Sequence, residues 1–490
     1  MKKSFYTLLY VILTFSSWSQ NETDVLRYST TDMFGSARFE AMAGSFGALG
    51  ADFSAIQINP AGMARFSGSH FSFSLGNLLV ATRGEYNGTS SRALKNSFKP
   101  SVFGVVFTSD ASNENKGVMY RQLSIGYSRL KSFDFNQRYE GQNFYSLLDV
   151  FANMGSGISP DFIYTDRPFT TGLAYDVYAL DYNAGTGEYE SRLTAGDMYH
   201  NRDIATSGGM GDFHIGYSEN YMNQLYYGAS LGIRRIRYNE EYTHNERLLD
   251  ITGVSLREFD YMYWQETAGT GFNIKLGVLY LPVDFVRMGI SYESPTFISF
   301  EDTWSADMTA RHDFGTLEID PQFLYEGRYS YNLRTPMKLR TSFAYVLNYR
   351  GALNIDVEYV DFKRGRLNSS LENFEGYDFA IENSEVQAQY RSVLNTRVGM
   401  EYMVLRDVFL RGGYALLPQP FKSTIGNVTR VNQTVSAGVG WRVKNLNVDI
   451  AYRLANLNYD YYAFDPSQLE NRTSFTSWMH HFLVSMTATF

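Results

Sequence analysis

Gly228-Ala229-Ser230-Leu231-Gly232 has the G-x-S-x-G spacing that presents a serine nucleophile in hydrolases. That chemistry needs a sharp strand-to-helix elbow. Here the motif lies inside YYGASLGIRRIRY, a strand-like run with no helix after it, so no catalysis is expected and the chain reads as a non-enzyme. His480 and His481 are adjacent, and adjacent strand residues point to opposite faces. The other five histidines are scattered, so no converging set of metal ligands is expected, and no haem pattern accompanies them. Lys275, Arg287, Arg340 and Arg397 could meet the carboxylate head of a ligand, or could pair with Glu293, Glu358, Glu401 and Asp356. The absence of cysteine excludes disulfides and thiolate metal sites. A net charge of −8, with no basic run and no phosphate-binding glycine loop, gives no footprint for nucleic acid or for a nucleotide cofactor. No cofactor is expected.

The charges matter only once their face is known. In GFNIKLGVLYLPVDFVRMGISYE, Phe272, Ile274, Leu276, Val278 and Tyr280 alternate with Asn273, Lys275 and Gly277. After a short link, Val286, Met288, Ile290 and Tyr292 alternate with Arg287, Gly289, Ser291 and Glu293. Period 2 predicts two strands in a hairpin. The same alternation recurs to the end of the chain, and 38 Tyr, 36 Phe and 41 Gly suit an all-β protein with many turns. Strands are predicted near 70–84, 98–108, 119–131, 210–219, 224–241, 262–280, 285–298, 327–347, 352–362, 390–403, 408–416, 431–442, 446–456 and 476–490, about fourteen in all. Tight links near 218–223, 281–284, 348–351, 404–407 and 443–446 alternate with long polar segments, the longest spanning 133–209. Short turns at one end and long loops at the other predict a transmembrane antiparallel β-barrel of the bacterial outer membrane.

Tyr280, Tyr345, Tyr402, Trp441 and Phe490 each close the apolar face of a strand just before a short turn or the chain end. A soluble core gives no reason for that placement, whereas aromatic rings collect at headgroup depth. The apolar face is therefore expected to meet outer-membrane lipid and the charged face to line the lumen. Lys2 and Lys3, the apolar run Phe5–Phe15 and Ser17-Trp18-Ser19 predict a signal peptide over 1–19. With no cysteine at the cleavage site a lipid anchor is excluded.

Residues 20–68 do not alternate. RFEAMAGSFGALGADFSAIQINPAGMARF is dense in Ala and Gly and too short and small-sided for a core of its own, so it is expected to plug the lumen of a barrel spanning 69–490. ALGADFSAIQINPAGMARF, with Asn59-Pro60-Ala61-Gly62 at its centre, resembles the N-terminal hatch of the FadL/TodX family of outer-membrane transporters. The segments LGVLYLPVDFVRMGISYESP, YNLRTPMKLRTSFAYVLNYRGALNIDVEYVDF and FLRGGYALLPQPF resemble barrel strands of that family. The resemblance implies a monomeric fourteen-strand barrel whose hatch element is Asn59, Pro60, Ala61 and Gly62. It further implies passive uptake of hydrophobic compounds such as long-chain fatty acids, from a loop landing site to a lumen pocket, with a hatch change opening a route often described as lateral. A terminal Phe490 also resembles the signal read by the barrel-assembly machinery.

An apolar solute needs an apolar pocket with few polar groups. Phe144, Leu147, Leu148 and Phe151 at i, i+3, i+4 and i+7 predict one apolar helix face in the long loop, read as a landing platform, with a second helix over 167–180. Two other functions suit the same fold: a PorV-like type IX secretion component that binds cargo proteins through its loops, and a structural or adhesive barrel.

Overall fold

The computed structural model describes residues 22–112, 117–193, 197–348, 350–370, 377–422, 431–464 and 471–490, so the expected signal peptide lies outside the described residues. Fourteen antiparallel strands close into a barrel: β1 His70–Tyr86, β2 Thr89–Asp110, β3 Val118–Ser132, β4 Met198–Tyr221, β5 Leu225–Leu248, β6 Leu256–Val283, β7 Val286–Glu293, β8 Lys338–Leu347, β9 Gly351–Asp361, β10 Ser392–Leu405, β11 Val408–Pro418, β12 Val431–Val443, β13 Leu446–Tyr462 and β14 Arg472–Thr489. Closure is made by β1 on β14, in register from His70↔Thr489 to Tyr86↔Thr473. The strands Phe297–His312 and Gly327–Arg334 carry the wall upward between β7 and β8. The tight turns at the end holding Phe490 place Met222, Asn223, Asn348, Asp407 and Lys444 at positive φ, the geometry that follows the twist of flanking strands.

The alternation resolves as expected. Phe272, Ile274, Leu276, Val278 and Tyr280 are 39–55% exposed, while Lys275 between them is 2% exposed. Tyr280, Tyr345, Tyr402, Trp441 and Phe490 are likewise exposed, forming an aromatic ring at the short-turn end.

Several strands run beyond their expected limits, β5 to Leu248 rather than 241 and β13 to Tyr462 rather than 456 among them, and the expected strand 327–347 is split into Gly327–Arg334 and Lys338–Leu347. β2 starts at Thr89 rather than 98, β4 starts at Met198, and the segment after β3 therefore covers 133–197 rather than 133–209 and contains the short strand Phe135–Asn143. The cause is the lipid band. A spanning strand needs about 9–11 residues, and β4 and β5 have 24 each. Above the band the outer face is wet, so the apolar/polar alternation fades while the backbone ladder continues. Helix α3, Leu147–Gly155, forms over the expected stripe except at Phe144, which precedes the Ser146 cap and its capping box with Asp149. Helices α4 Pro160–Asp166 and α5 Thr171–Asp176 follow; only α5 falls in the expected second helix.

Residues 22–66 lie inside the barrel. They form helix α1 Glu22–Ser29 and helix α2 Ala37–Ala41, then short 3-10 turns at Phe53–Gln57 and Pro60–Arg65. Phe39, Met42, Phe46, Phe53, Ile56 and Met63 are fully buried against wall residues that include Val102, Val106 and Leu279. Each such side chain contributes roughly 1.5–3 kcal/mol of burial. This is how a segment too small for its own core borrows one from the wall.

Candidate functional site: a plugged lumen with an open wall seam

The plug sits in sockets made by missing side chains. Asn59 accepts from the Ala61 N–H at 3.1 Å, starting the Pro60 turn, and its Nδ2 donates to Gly47 O at 2.8 Å and to Val278 O in β6 at 3.2 Å. A Cβ on Gly277 would lie 1.9 Å from Asn59 Oδ1, and one on Gly228 would lie 2.8 Å from the Pro60 carbonyl. The first glycine of the hydrolase-like motif thus makes room for Pro60. Ser230 of the same motif is buried mid-strand opposite Lys275, which Asp212 already engages at 3.1 Å. Gly277→Val should expel the Asn59–Gly62 turn and cost about 1–3 kcal/mol or more. Protease sensitivity of residues 53–65 should rise, whereas Gly412→Ala, with nothing nearer than 3.9 Å, should change nothing.

Ion pairs also tie the plug to the wall. Arg38 holds Glu401 at 2.8 and 2.9 Å, and Glu40 takes Arg453 at 3.1 Å and His481 at 2.7 Å. Asp356 accepts from the Phe46 and Gly47 N–H groups at 2.8 and 3.1 Å. His480 faces the other way, with its Nδ1 2.8 Å from Tyr452 Oη.

Above the lower plug, seven consecutive strands each contribute one buried charge: Asp212, Arg234, Lys275, Glu293, Arg340, Glu358 and Arg397. Arg234 and Lys275 hold Asp212 at 2.8 and 3.1 Å, Arg340 joins Glu293 at 2.9 Å to Glu358 at 2.6 Å, and Arg397 reaches Glu358 at 3.2 Å. Three of the four expected head-group cations, Lys275, Arg340 and Arg397, therefore already hold protein carboxylates, because a buried charge must be paired. Arg287 lies apart near the short turns, donating to Leu49 O at 3.4 Å. A cavity of about 20 Å³ between the belt and the plug has room for one water. A larger cavity of about 280 Å³ at the short-turn mouth is lined by charged groups, including Arg38, Asp52, Arg65, Glu401, Arg411 and Asp449.

On the long-loop side of the belt the lumen is aromatic. Tyr86, Tyr139, Tyr242, Tyr261, Phe259 and Phe464 pack with Leu147, Leu148 and Phe151 under the loop helices. The stripe of α3 thus packs down onto this aromatic cluster. Leu147, Leu148 and Phe151 are at most 1% exposed, and of the four expected platform residues only Phe144, 65% exposed, faces outward. A helical stripe shows that one face is covered without showing by what.

Sequence reasoning missed a polar knot beside this cluster, because its residues fell within expected loops. His200 and Arg202 on β4 face His244 and Glu246 on β5 as cross-strand pairs, and Tyr139 faces Arg202 from the short strand. The signal was the matched spacing His-x-Arg and His-x-Glu. His200, His244 and Glu246 lie close enough to suggest a metal site. Arg202 Nε donates to His244 Nδ1 at 3.1 Å, so the His244 proton sits on Nε2 and points at Glu246, 2.8 Å away. With that lone pair turned away and a guanidinium alongside, the knot is a hydrogen-bond network and not a metal site.

Glu246 caps α3, accepting from Ser146 Oγ at 2.6 Å and the Leu147 N–H at 2.8 Å. It lies on the part of β5 beyond the lipid band, faced by His200 and Arg202 on β4, His244 on its own strand and Asp149 on α3. Burial pushes its carboxyl up to about 8. A carboxyl raised in the folded state stabilises it below the ordinary value of 4.5, and that contribution is lost as pH rises through about 8. Amide hydrogen exchange in α3, corrected for intrinsic rates, should therefore quicken between pH 5 and 9, and Glu246→Gln should flatten the dependence.

The wall is not laddered all the way round. β2 pairs with β3 only from Val102↔Ser128 to Asp110↔Tyr120. Above that, β3 slips register at Leu130, and Phe135–Asn143 pairs with β4. That short strand passes so close inside the β1–β2 hairpin that a Cβ on Gly84 would lie 2.4 Å from Arg138 O. Thr89–Pro100 keeps β1 as its one ladder partner among the described residues. The seam is crossed by side chains: Asn136 Nδ2 to Leu94 O at 2.9 Å, Asn87 Nδ2 to Gln142 O at 2.8 Å and Lys99 to Asp134 at 2.6 Å.

A fourteen-strand barrel with a lipid-facing apolar band and its own N-terminal segment inside is a plugged channel of the outer membrane. A sequence profile of the family described as outer membrane protein transport protein (OMPP1/FadL/TodX) matches residues 237–488, just over half of the chain. The chain belongs to that family, whose members are channel-type transporters and not enzymes. Similar solved structures include the P. putida toluene transporter TodX (14% identity, 94% of this chain and 99% of that one, TM-score 0.55). A Pseudomonas aeruginosa FadL homologue (15%, 94% and 100%, 0.55) and the Ralstonia pickettii toluene transporter TbuX (15%, 94% and 99%, 0.51) are also similar. At these identities the likeness establishes the fold. No curated protein matches the chain by sequence.

Proposed function

We propose that the protein carries hydrophobic compounds passively across the outer membrane and releases them sideways through the seam beside β2. The observation that carries this reading is the pairing of a sealed axis with an unladdered wall. An apolar solute crossing the charged belt would have to separate buried ion pairs, each costing several kcal/mol. Opening the seam beside the aromatic cluster requires the breaking of a few side-chain contacts, those of Asn87, Asn136 and Lys99, which reaches both Asp134 and Gly208 O. Leu94 and Phe98, 64% and 66% exposed on β2, give it an apolar outer lip. Phe144 joins Phe162, Phe314 and Phe323, all more than 60% exposed on the loops, as a landing surface. Residues 22–66, anchored through Asn59, Pro60, Ala61 and Gly62, act as the hatch that keeps the axis shut. Long-chain fatty acids and small aromatic compounds both fit this scheme.

The test is uptake. A strain lacking the protein, with and without a plasmid copy, is given radiolabelled palmitate and toluene at low concentration. Faster uptake of at least one solute with the plasmid is expected. Equal rates for both would overturn the proposal.

A further inference from the structure

Arg202 is 0% exposed and forms no ion pair among the described residues. Its guanidinium lies 4.5 Å over the Tyr242 ring. Nε donates to His244, and Nη1 donates to Tyr461 Oη at 2.8 Å and to Ala463 O at 3.3 Å, while Nη2 has no partner. Three more polar atoms of the same knot are unpartnered: His200 Nε2, Tyr139 Oη and Asn471 Nδ2, on residues at most 1% exposed. Asn143 links them, donating to Tyr86 Oη at 2.6 Å and to Asn471 Oδ1 at 2.8 Å. The belt cations Arg234, Lys275, Arg340 and Arg397 each hold a carboxylate. Among the described residues no carboxylate lies within ion-pair distance of Arg202; the one carboxyl of the knot, Glu246, is engaged by His244, Ser146 and the Leu147 N–H, and unmet buried polar groups are costly.

What covers the knot shows what would fill it. The Phe464 ring lies 6.2 Å from both the His200 and His244 rings, and the adjoining Ala463 carbonyl takes one Arg202 N–H. A carbonyl oxygen and a phenyl ring, a few bonds apart, thus rest on a guanidinium and two imidazoles. They directly follow β13, and no strand pairing is made by Ala463 or Phe464. A ligand with the same two groups and a full negative charge would do better. It would engage Arg202 through charge-assisted, two-pronged hydrogen bonds and keep the ring contacts.

We propose that this knot binds an aromatic carboxylate, whose anion takes the Arg202 guanidinium and whose ring displaces Phe464 from His200 and His244. A neutral arene leaves the guanidinium unmet, and an alkyl acid has no flat face for the imidazoles. The inference deepens the transport proposal and rests on it, because the knot lies beside the seam through which a solute would leave.

The experiment uses the full barrel in lipid nanodiscs and equilibrium dialysis with phenylacetate, its neutral methyl ester and toluene, folding being checked by heat-modifiable gel mobility. The wild type should bind phenylacetate at least about tenfold more tightly than the ester, the worth of one charge-assisted hydrogen bond. Arg202→Met should bring that ratio to about one. Phe464→Ala, which removes the internal competitor, should tighten phenylacetate several-fold, and it carries the test alone if Arg202→Met does not fold. A wild-type ratio near one with toluene bound overturns this inference and spares the transport proposal. A ratio that survives Arg202→Met, or phenylacetate binding no tighter in Phe464→Ala, also overturns it. No binding of any of the three compounds overturns both.

Discussion

Joining cysteines at Leu94 and Asn136, by oxidation or by a short bifunctional crosslinker, is expected to reduce uptake to the level of cells without the protein, and cleaving the link should restore it. The positions face each other across the seam, where Asn136 Nδ2 donates to the Leu94 carbonyl. The chain has no other cysteine to confuse the result. On the proposed lateral route the effect is large because the seam is the single exit in series with everything before it: a solute that has entered under the loop helices meets the charged belt below and a closed wall beside it. Binding under those helices should survive the lock, so binding and uptake should separate. If the locked barrel transports at full rate, the solute passes along the axis, and the belt and the plug must both move.

Arg340→Met should be the most damaging single substitution in the wall. Arg340 bridges Glu293 and Glu358 and is 3% exposed. Removing one partner of a buried ion network costs about 3–5 kcal/mol, because the remaining charges stay buried without compensation. Here two carboxylates lose their shortest ion pair at once, leaving Glu293 with Arg234 at 3.6 Å and Glu358 with Arg397 at 3.2 Å. Reversible urea unfolding in phospholipid vesicles should show that loss, and Arg340→Met with Glu358→Gln should recover part of it. Arg328→Met, at an exposed pair with Glu301, should shift stability by less than about 1 kcal/mol.

What could be read from residues alone follows from where the solvent changes. Within the lipid band one face of each strand meets hydrocarbon and the other does not, so Phe272 to Tyr280 and Val286 to Tyr292 declare their faces. Asn59-Pro60 likewise announces its turn, since the side chain that caps it and the ring that starts it are adjacent. Residues 198–206 could not be read in this way. Met198, His200, Arg202 and Ile204 point inward just as regularly, but Tyr199, Asn201 and Asp203 on the other side are as polar as a loop. Charge pairing was legible only in kind. That Arg340 faces the lumen follows from alternation, but that it sits between Glu293 and Glu358 depends on the register of three strands. The α3 stripe was legible as a helix and misread as a surface, because periodicity gives the direction of an apolar face and not its neighbour.

The plug also constrains the order in which the molecule is made. Glu40 reaches His481, 441 residues away, the Ala37 N–H donates to Ser485 Oγ at 2.5 Å, and Asn59 reaches Val278. The first two contacts join the first part of the chain to β14, one of the two strands that close the ring, and the third joins it to β6. Contacts so distant in sequence form late. A chain that zipped β1 onto β14 first would shut its own N-terminal segment outside a ring whose Gly228 and Gly277 sockets would then stand empty. Loading must therefore precede or accompany closure, so an empty barrel is a dead end of assembly and not an intermediate on the way to the native protein.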